Sequence, residues 1–541
     1  MKKGIIAWIL TMLIIYGSLY ARLIPYNSLQ SLDSSRPTIQ IKTENNVLLW
    51  NTTWGGIGYE KGYDIAIDTS GDIYCVGYTD SFGAGITDFA LLKFASNGTR
   101  LWNTTWGGTG DDSATSVAVY HNSDIYCAGS TNSFGAGSYD FALVKFAPDG
   151  TRMWNITWGG SGMDSCGGVA VDNDGMIYCA GSTNSFGAGS YDFALVKFAP
   201  DGTYLWNVTW GGSGVDSCLD LAIDDSGNIY CAGYTDSFGA GYDDFALVKF
   251  APNGTRLWNT TWGGTGDDTI HDIAVNTNGD IYCVGYTDSF GLGGIDLALV
   301  KFESDSTVVW STFWGGSSDE LAESVAVDTL GYIYCAGSTY SFGAGSADFV
   351  LLKFAPNGSR LWNTYWGGAS SDKAESIAVD QSGDIYCTGS TDSFGVGNDY
   401  LVLIKVGEIQ PPSLNPITPN PDGDGIIELS WTDVLEANRY YIYREITCIT
   451  SVVCLVPLAM VNENHYTDNI TSNGTYYYVI VAGNAYGNSS ISNCEIVTIA
   501  IPSEPEVVPE KIPGFELLYM LISLLALIYS FQRKKIHCKL L

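Results

Sequence analysis

A chain of 541 residues has room for two or three domains with cores of their own. Its 46% hydrophobic and 15% charged residues exclude a disordered chain, and 58 acidic against 25 basic residues exclude the basic face that nucleic acid requires. The 64 glycines, 34 tyrosines and 16 tryptophans point to many turns between aromatic-rich strands, hence an all-β protein.

In chain order, residues 1–22 come first. Lys2 and Lys3 precede an apolar stretch from Gly4 to about Tyr20, the pattern of a secretory signal peptide or an N-terminal anchor. A repeat region follows over residues 47–406. Trp50, Trp102, Trp154, Trp206, Trp258, Trp310 and Trp362 stand 52 residues apart, and Trp54, Trp106, Trp158, Trp210, Trp262, Trp314 and Trp366 keep the same step four residues later. Cysteines from Cys75 to Cys387 and phenylalanines from Phe82 to Phe394 hold the same register, with no insertion or deletion. Within one copy the apolar runs SVAVY, DIYCAGS, DFALVKF and RMWNITW alternate with Gly-, Asn- and Asp-rich turns. Four strands per copy, nearly continuous in apolar residues, predict small sheets packed face to face as the blades of a β-propeller. The chain enters this region on a fourth strand (VLLWNTTW) and leaves after a third (LVLIKV), so the first strand is expected to complete the last blade and remove its open edge.

The runs DFALVKFAPNGTRLWNTTWGG (from Asp244) and SVAVDTLGYIYCAGST (from Ser324) resemble the SBBP family, the seven-bladed β-propeller repeats of bacterial and archaeal surface proteins. That resemblance implies the fold and brings no single activity with it. The pattern Gly150–Trp154 also resembles the tryptophan-docking motif of quinoprotein dehydrogenases, but the eight blades and adjacent cysteines of that family are missing.

Residues 411–500 break the period. Trp431 in ELSWTDV, then RYYIYREI and TYYYVIVAGNAYGNSSISN, resemble a fibronectin type III β-sandwich, in which Tyr441, Tyr443 and Tyr478 would pack on the tryptophan. Residues 501–511 (IPSEPEVVPEK) read as an extended Pro-rich spacer. Residues 512–541 read as a C-terminal anchor or sorting segment: Leu517–Phe531 carries no charge and Arg533, Lys534 and Lys535 follow. Fifteen residues at about 1.5 Å each fall short of a ~30 Å hydrocarbon core without help from their flanks. Pro513, Gly514 and Phe515, placed just before that stretch, resemble the PGF-CTERM sorting signal of archaeal surface proteins. The resemblance implies removal of the helix and a lipid anchor in its place. Everything between the two ends is then expected outside the cell.

Catalytic constellations are scarce. The chain has four histidines, none at metal-ligand spacing, and no GxSxG elbow, P-loop or dinucleotide fingerprint. His121 and His271 read as structural or solvent-exposed residues. The strand cysteines read as small buried apolar residues, with Cys166–Cys179, Cys218–Cys231 and Cys448–Cys454 as possible pairs in an oxidising compartment. The tryptophans at i and i+4 share a strand face and suit packing between blades. Sequons at Asn97, Asn253, Asn357, Asn469, Asn473 and Asn488 fit an external glycoprotein.

After each WGG an acidic residue recurs: Glu60, Asp112, Asp164, Asp216, Asp268, Glu320 and Asp372. These carboxylates can cap their own turns, or form a ring near the axis that binds Ca²⁺ or a cationic partner group. No other cofactor is expected. Because the blades read as nearly interchangeable, the sequence favours a non-catalytic surface module for a protein or glycan ligand, of open oligomeric state. The alternative is an extracytoplasmic propeller enzyme, quinoprotein-like or polysaccharide-active.

Overall fold

The computed structural model describes residues 46–502, apart from 122–123, 396–398, 435–436, 453–454 and 485–486. The signal or anchor expected at residues 1–22, the spacer from residue 503 on, and the anchor segment with Pro513, Gly514 and Phe515 lie outside the described residues. Among the described residues no helix is long and apolar enough to cross a membrane. The chain divides into two compact units, the second starting at Pro412.

The first unit contains seven four-stranded antiparallel sheets. One repeat supplies, for example, an inner strand Asp112–Tyr120, then Asp124–Thr131, then Asp140–Phe146, and an outer strand Arg152–Trp158. The second and third strands are buried along nearly their whole length, because sheets cover both of their faces. Each inner strand packs against the inner strand of the next sheet, and Asp372–Val379 packs back onto Glu60–Ile67. The opening strand Asn46–Trp54 pairs antiparallel with Tyr400–Glu408, so the last sheet is built from both ends of the region. That pairing covers the edge of Tyr400–Glu408 and gives the last sheet four strands like the others, with Asn46–Trp54 as its outer strand.

The apolar core lies between sheets. Phe89, Leu91 and Trp106 of one sheet, for instance, interleave with Val117, Ile125 and Val144 of the next. Burying each such side chain contributes about 1.5–3 kcal/mol. The tryptophans bridge sheets as their spacing predicts. The series from Trp54 to Trp366 lies 5.0–5.3 Å, ring to ring, from the series Phe82 to Phe394. The series from Trp50 covers turns of the following sheet: a Cβ on Gly98, which sits at φ +83°, would meet the Trp50 ring at 2.9 Å. Glycine suits that backbone, and a single copy carries a serine there instead, Ser306 at φ 77°.

The strand cysteines are buried, as read from the sequence, and one pairing in the second unit differs. The cysteines of the sheets are free thiols. Cys166 lies against Cys179, and Cys218 against Cys231, without a bond between them. In the second unit, Cys454 lies outside the described residues, and Cys448 instead places its sulfur 3.7 Å from that of Cys494.

The remaining strands form a two-stranded and a four-stranded sheet. Trp431, Tyr443 and Tyr478 are buried as expected, but Tyr441 is half-exposed and Tyr440 takes the inward position. Alternation along Arg439–Glu445 allows only one of those two neighbours to face inward.

Candidate axial site

The seven recurring carboxylates open the seven inner strands, and all are fully buried, at 0% exposure. Each accepts a hydrogen bond at 2.6–2.8 Å from the backbone N–H of the second glycine of its own WGG. Each also accepts the hydroxyl of the threonine that ends the second strand. Glu60 and Glu320 reach the same donors as the five aspartates, one methylene further out. Of the two roles the sequence allows, local capping is the one the geometry describes. No cluster of three or more potential ligands forms among the described residues. A second series, Asp88 to Asp348, holds the SFGAG loops: Asp140, for example, accepts the N–H groups of Ala136 and Gly137 at 2.9 and 3.0 Å.

Three residues further along each inner strand the repeat changes character. Every inner strand shifts register there, with one extra residue at Tyr63, Thr115, Gly167, Leu219, His271, Glu323 or Glu375. A bulge re-aims its side chain, and here the seven bulge residues line the axis. A cavity of about 620 Å³ lies on one side of them, walled also by Ser165, Ser182, Ser217, Tyr191 and Tyr234. A second cavity of about 230 Å³ lies on the other side, against Asp64, Ser116, Asp220, Asp272, Ser324 and Ser376.

The residue after the bulge ties neighbouring sheets together in every copy but the third. Asp64 accepts Val117 N–H at 2.8 Å, Ser116 accepts Val169 N–H at 3.2 Å, and Asp272 accepts Val325 N–H at 2.7 Å. Ser324 accepts Ile377 N–H at 3.2 Å, and Ser376 donates to Asp64 across the chain junction at 2.8 Å. Gly168, which has no side chain to offer, occupies the same place in the third sheet. Burial pushes the Asp64 carboxyl up to about 6, against the donors that favour its charged form. Burial also raises Asp220, and its contact with Asp272 adds to the shift.

Two ion pairs stand at the bulge level. His271 Nδ1 lies 2.6 Å from Glu323 Oε2, and Lys61 Nζ lies 2.8 Å from Glu375 Oε1. Lys61 also sits 4.7 Å above the Tyr63 ring, and His271 meets Tyr286 edge-on. Burial would lower His271, but the charges of Glu323, Glu375 and Asp272 raise it. Burial would raise Glu323, but the charge and hydrogen bond of His271, with Lys61 and Lys373, hold it below the usual range. For Glu375 burial wins over Lys61 and pushes it up to about 7.

His271, read from the sequence as structural or solvent-exposed, is half-buried, pairs with Glu323 and lines the axial cavity. The copies are also not interchangeable where they meet the axis. The bulge column reads Tyr, Thr, Gly, Leu, His, Glu, Glu, while the alanine three residues later is the same in all seven copies. That contrast was the available signal. His121 stays in an exposed turn, at φ 49°. The sequon residues Asn97, Asn253, Asn357, Asn469, Asn473 and Asn488 are all exposed.

Repeated four-stranded sheets closed around a lined axis define a β-propeller protein. Residues 54–83, 210–239, 309–343 and 361–395 match the beta-propeller repeat family SBBP, and residues 124–152 and 173–203 match a beta-propeller domain of unknown function. The chain is 22% identical over 455 residues to an uncharacterized WD repeat-containing protein, L264, of Acanthamoeba polyphaga mimivirus. It is 27% identical over 178 residues to the regulatory protein FlaEY of Caulobacter vibrioides. The matches cover 63% and 28% of this chain but span only 31% and 19% of those proteins. Among solved structures, the Neurospora crassa Pan2 WD40 domain is similar at 12% identity and a TM-score of 0.43, covering 69% of this chain and 96% of that one. The β-propeller domain of the Trilobed protease from Pyrococcus furiosus is similar at 9% identity and a TM-score of 0.38, covering 66% and 96%.

Proposed function

We propose that the chain is an extracytoplasmic, membrane-anchored surface protein whose seven-bladed propeller recognises a ligand at its axis without transforming it. A fibronectin type III-like sandwich follows the propeller, and the PGF-like tail anchors it. The observation that carries this reading is the break in repeat symmetry. Seven copies agree at packing and loop positions, where the fold needs agreement, and diverge at the bulge residues, which face a cavity. A scaffold alone has no use for a His–Glu and a Lys–Glu pair at its axis, whereas a site needs different groups in different blades. The exposed sequons and the two terminal segments support the external location.

The test is capture on immobilised glycans and surface proteins, comparing the full chain with Leu219→Trp, which fills the axial cavity without removing a hydrogen bond. Capture that Leu219→Trp abolishes supports axial recognition, and capture it leaves intact refutes it.

One observation favours a second reading, a polysaccharide-active enzyme. Glu323 is held low and Glu375 is pushed up to about 7 at adjacent positions of the axis, the kind of split that assigns a base and an acid. Turnover of aryl glycosides, lost in Glu375→Gln, would establish it.

A further inference from the structure

We propose that the larger axial cavity binds a neutral saccharide of one or two rings. This deepens the recognition reading above and rests on it.

The volume comes first. At about 620 Å³ the cavity falls within the ~300–1,000 Å³ typical of small-molecule sites, too small for a folded partner and large enough for sugar rings.

Charge selects next. The two carboxylates of the wall already have cationic partners, at 2.6 Å for Glu323 and 2.8 Å for Glu375. An entering ammonium would compete with His271 or Lys61 for them. An entering carboxylate would be set against both glutamates. A neutral ligand displaces nothing.

Hydrogen-bond sense points the same way. A carboxylate has about four lone-pair sites, and an ammonium three donors. The Lys61 contact uses one site of Glu375, so Glu375 keeps acceptor capacity in the wall, beside the donors that its serine and tyrosine hydroxyls offer. A sugar hydroxyl donates and accepts at once and matches such a mixed wall. Across the cavity, Ser182 and Ser217 stand 2.6 Å apart, and Ser165 stands 2.7 Å from Ser130. In either pair each hydroxyl can be the donor, so the pair can turn to suit whichever hydroxyl the ligand presents.

The rest of the wall is mixed, with Val215, Cys166, Cys218 and Leu219 beside three tyrosines. Tyr63, Tyr191 and Tyr234 line the same cavity. A tyrosine offers a ring face for the C–H surface of a sugar and a hydroxyl for its edge. A water-filled void would need no such pairing of rings with hydroxyl arcs.

The experiment is saturation-transfer NMR followed by calorimetric titration of the full chain. The first set of probes is glucose, galactose, mannose, N-acetylglucosamine and their disaccharides; the second is putrescine and succinate. At least one sugar should bind, and Leu219→Trp should weaken it tenfold or more while the melting temperature is kept. Ser165→Ala with Ser217→Ala is the second variant, for the case in which the tryptophan disturbs folding. It should weaken the same sugar about 2- to 10-fold, the range for lost neutral hydrogen bonds. Sugar binding unaffected by both variants would overturn the site. Binding of putrescine or succinate alone, blocked by Leu219→Trp, would overturn the saccharide class and leave axial recognition standing. No binding from either set would overturn the saccharide class as well, while the capture experiment on glycans and surface proteins tests recognition separately.

Discussion

Asp216→Ala isolates the role of the recurring carboxylates. The side chain is fully buried and accepts Gly212 N–H at 2.7 Å, Ser237 Oγ–H at 2.6 Å and the Thr235 hydroxyl. Removing it leaves one N–H and two hydroxyls without an acceptor. At about 1–3 kcal/mol for each buried group left unpaired, and with the hydroxyls able to turn to other partners, the loss is about 3–5 kcal/mol. Asp216→Glu should cost far less, since Glu60 and Glu320 accept the corresponding Gly N–H and Thr hydroxyl in their own sheets, with the Ser81 or Ser341 N–H in place of a serine hydroxyl. Urea unfolding of the two variants beside the unaltered chain, each with Ca²⁺ and with a chelator, reads both effects. The capping account expects the order Ala, then Glu, then unaltered chain in rising stability, with the same order and the same midpoints in Ca²⁺ and chelator. An alanine variant as stable as the unaltered chain, or a midpoint that Ca²⁺ raises only where Asp216 is present, would refute it.

Deleting residues 46–56 removes the strand that pairs with Tyr400–Glu408 and should lower the melting temperature and cause aggregation through the freed edge; unchanged solubility would contradict the closure. Cys448 and Cys494 should form a disulfide when the full chain is oxidised, seen by peptide mass spectrometry. Closing a loop over their 46-residue separation should add about 4 kcal/mol on the chain-entropy scale, lost in Cys448→Ser. The pH dependence follows from Glu375, whose folded value of about 7 lies above its ordinary value of 4.5. The folded state therefore holds the extra proton, and its contribution falls as the pH rises from about 4 to about 7. Glu375→Gln, which keeps an acceptor for Lys61, should flatten that slope, and a parallel slope in both proteins would exclude Glu375 as its source.

The sheets were legible because repetition tests every feature seven times. The tryptophan spacing predicts packing between sheets, the glycines predict turns and the phase of the first strand predicts its pairing, and the structure contains all three in the Trp–Phe bridges, the Gly98 turn and the Asn46–Trp54 pairing. The axial site was not legible, for the reason that made the rest so. An inner-strand bulge leaves no mark in hydrophobic pattern, yet it decides that His271 and Glu375 point to the axis. His271 and Glu323 are one whole repeat apart, so a motif search within any single copy passes over them. Tyr441 was misplaced by a single step of strand alternation, and Cys494 was missed because its pairing depends on tertiary contact rather than spacing.

Amide hydrogen exchange of the full chain, with and without a saturating mixture of the neutral sugars, tests the central claim most directly. The account predicts added protection in peptides covering the inner strands Asp216–Ile223, Asp268–Val275, Glu320–Val327 and Asp372–Val379, and none on the outer strands. Protection confined to the outer tryptophan-bearing strands, or to the second unit beyond Pro412, would contradict it.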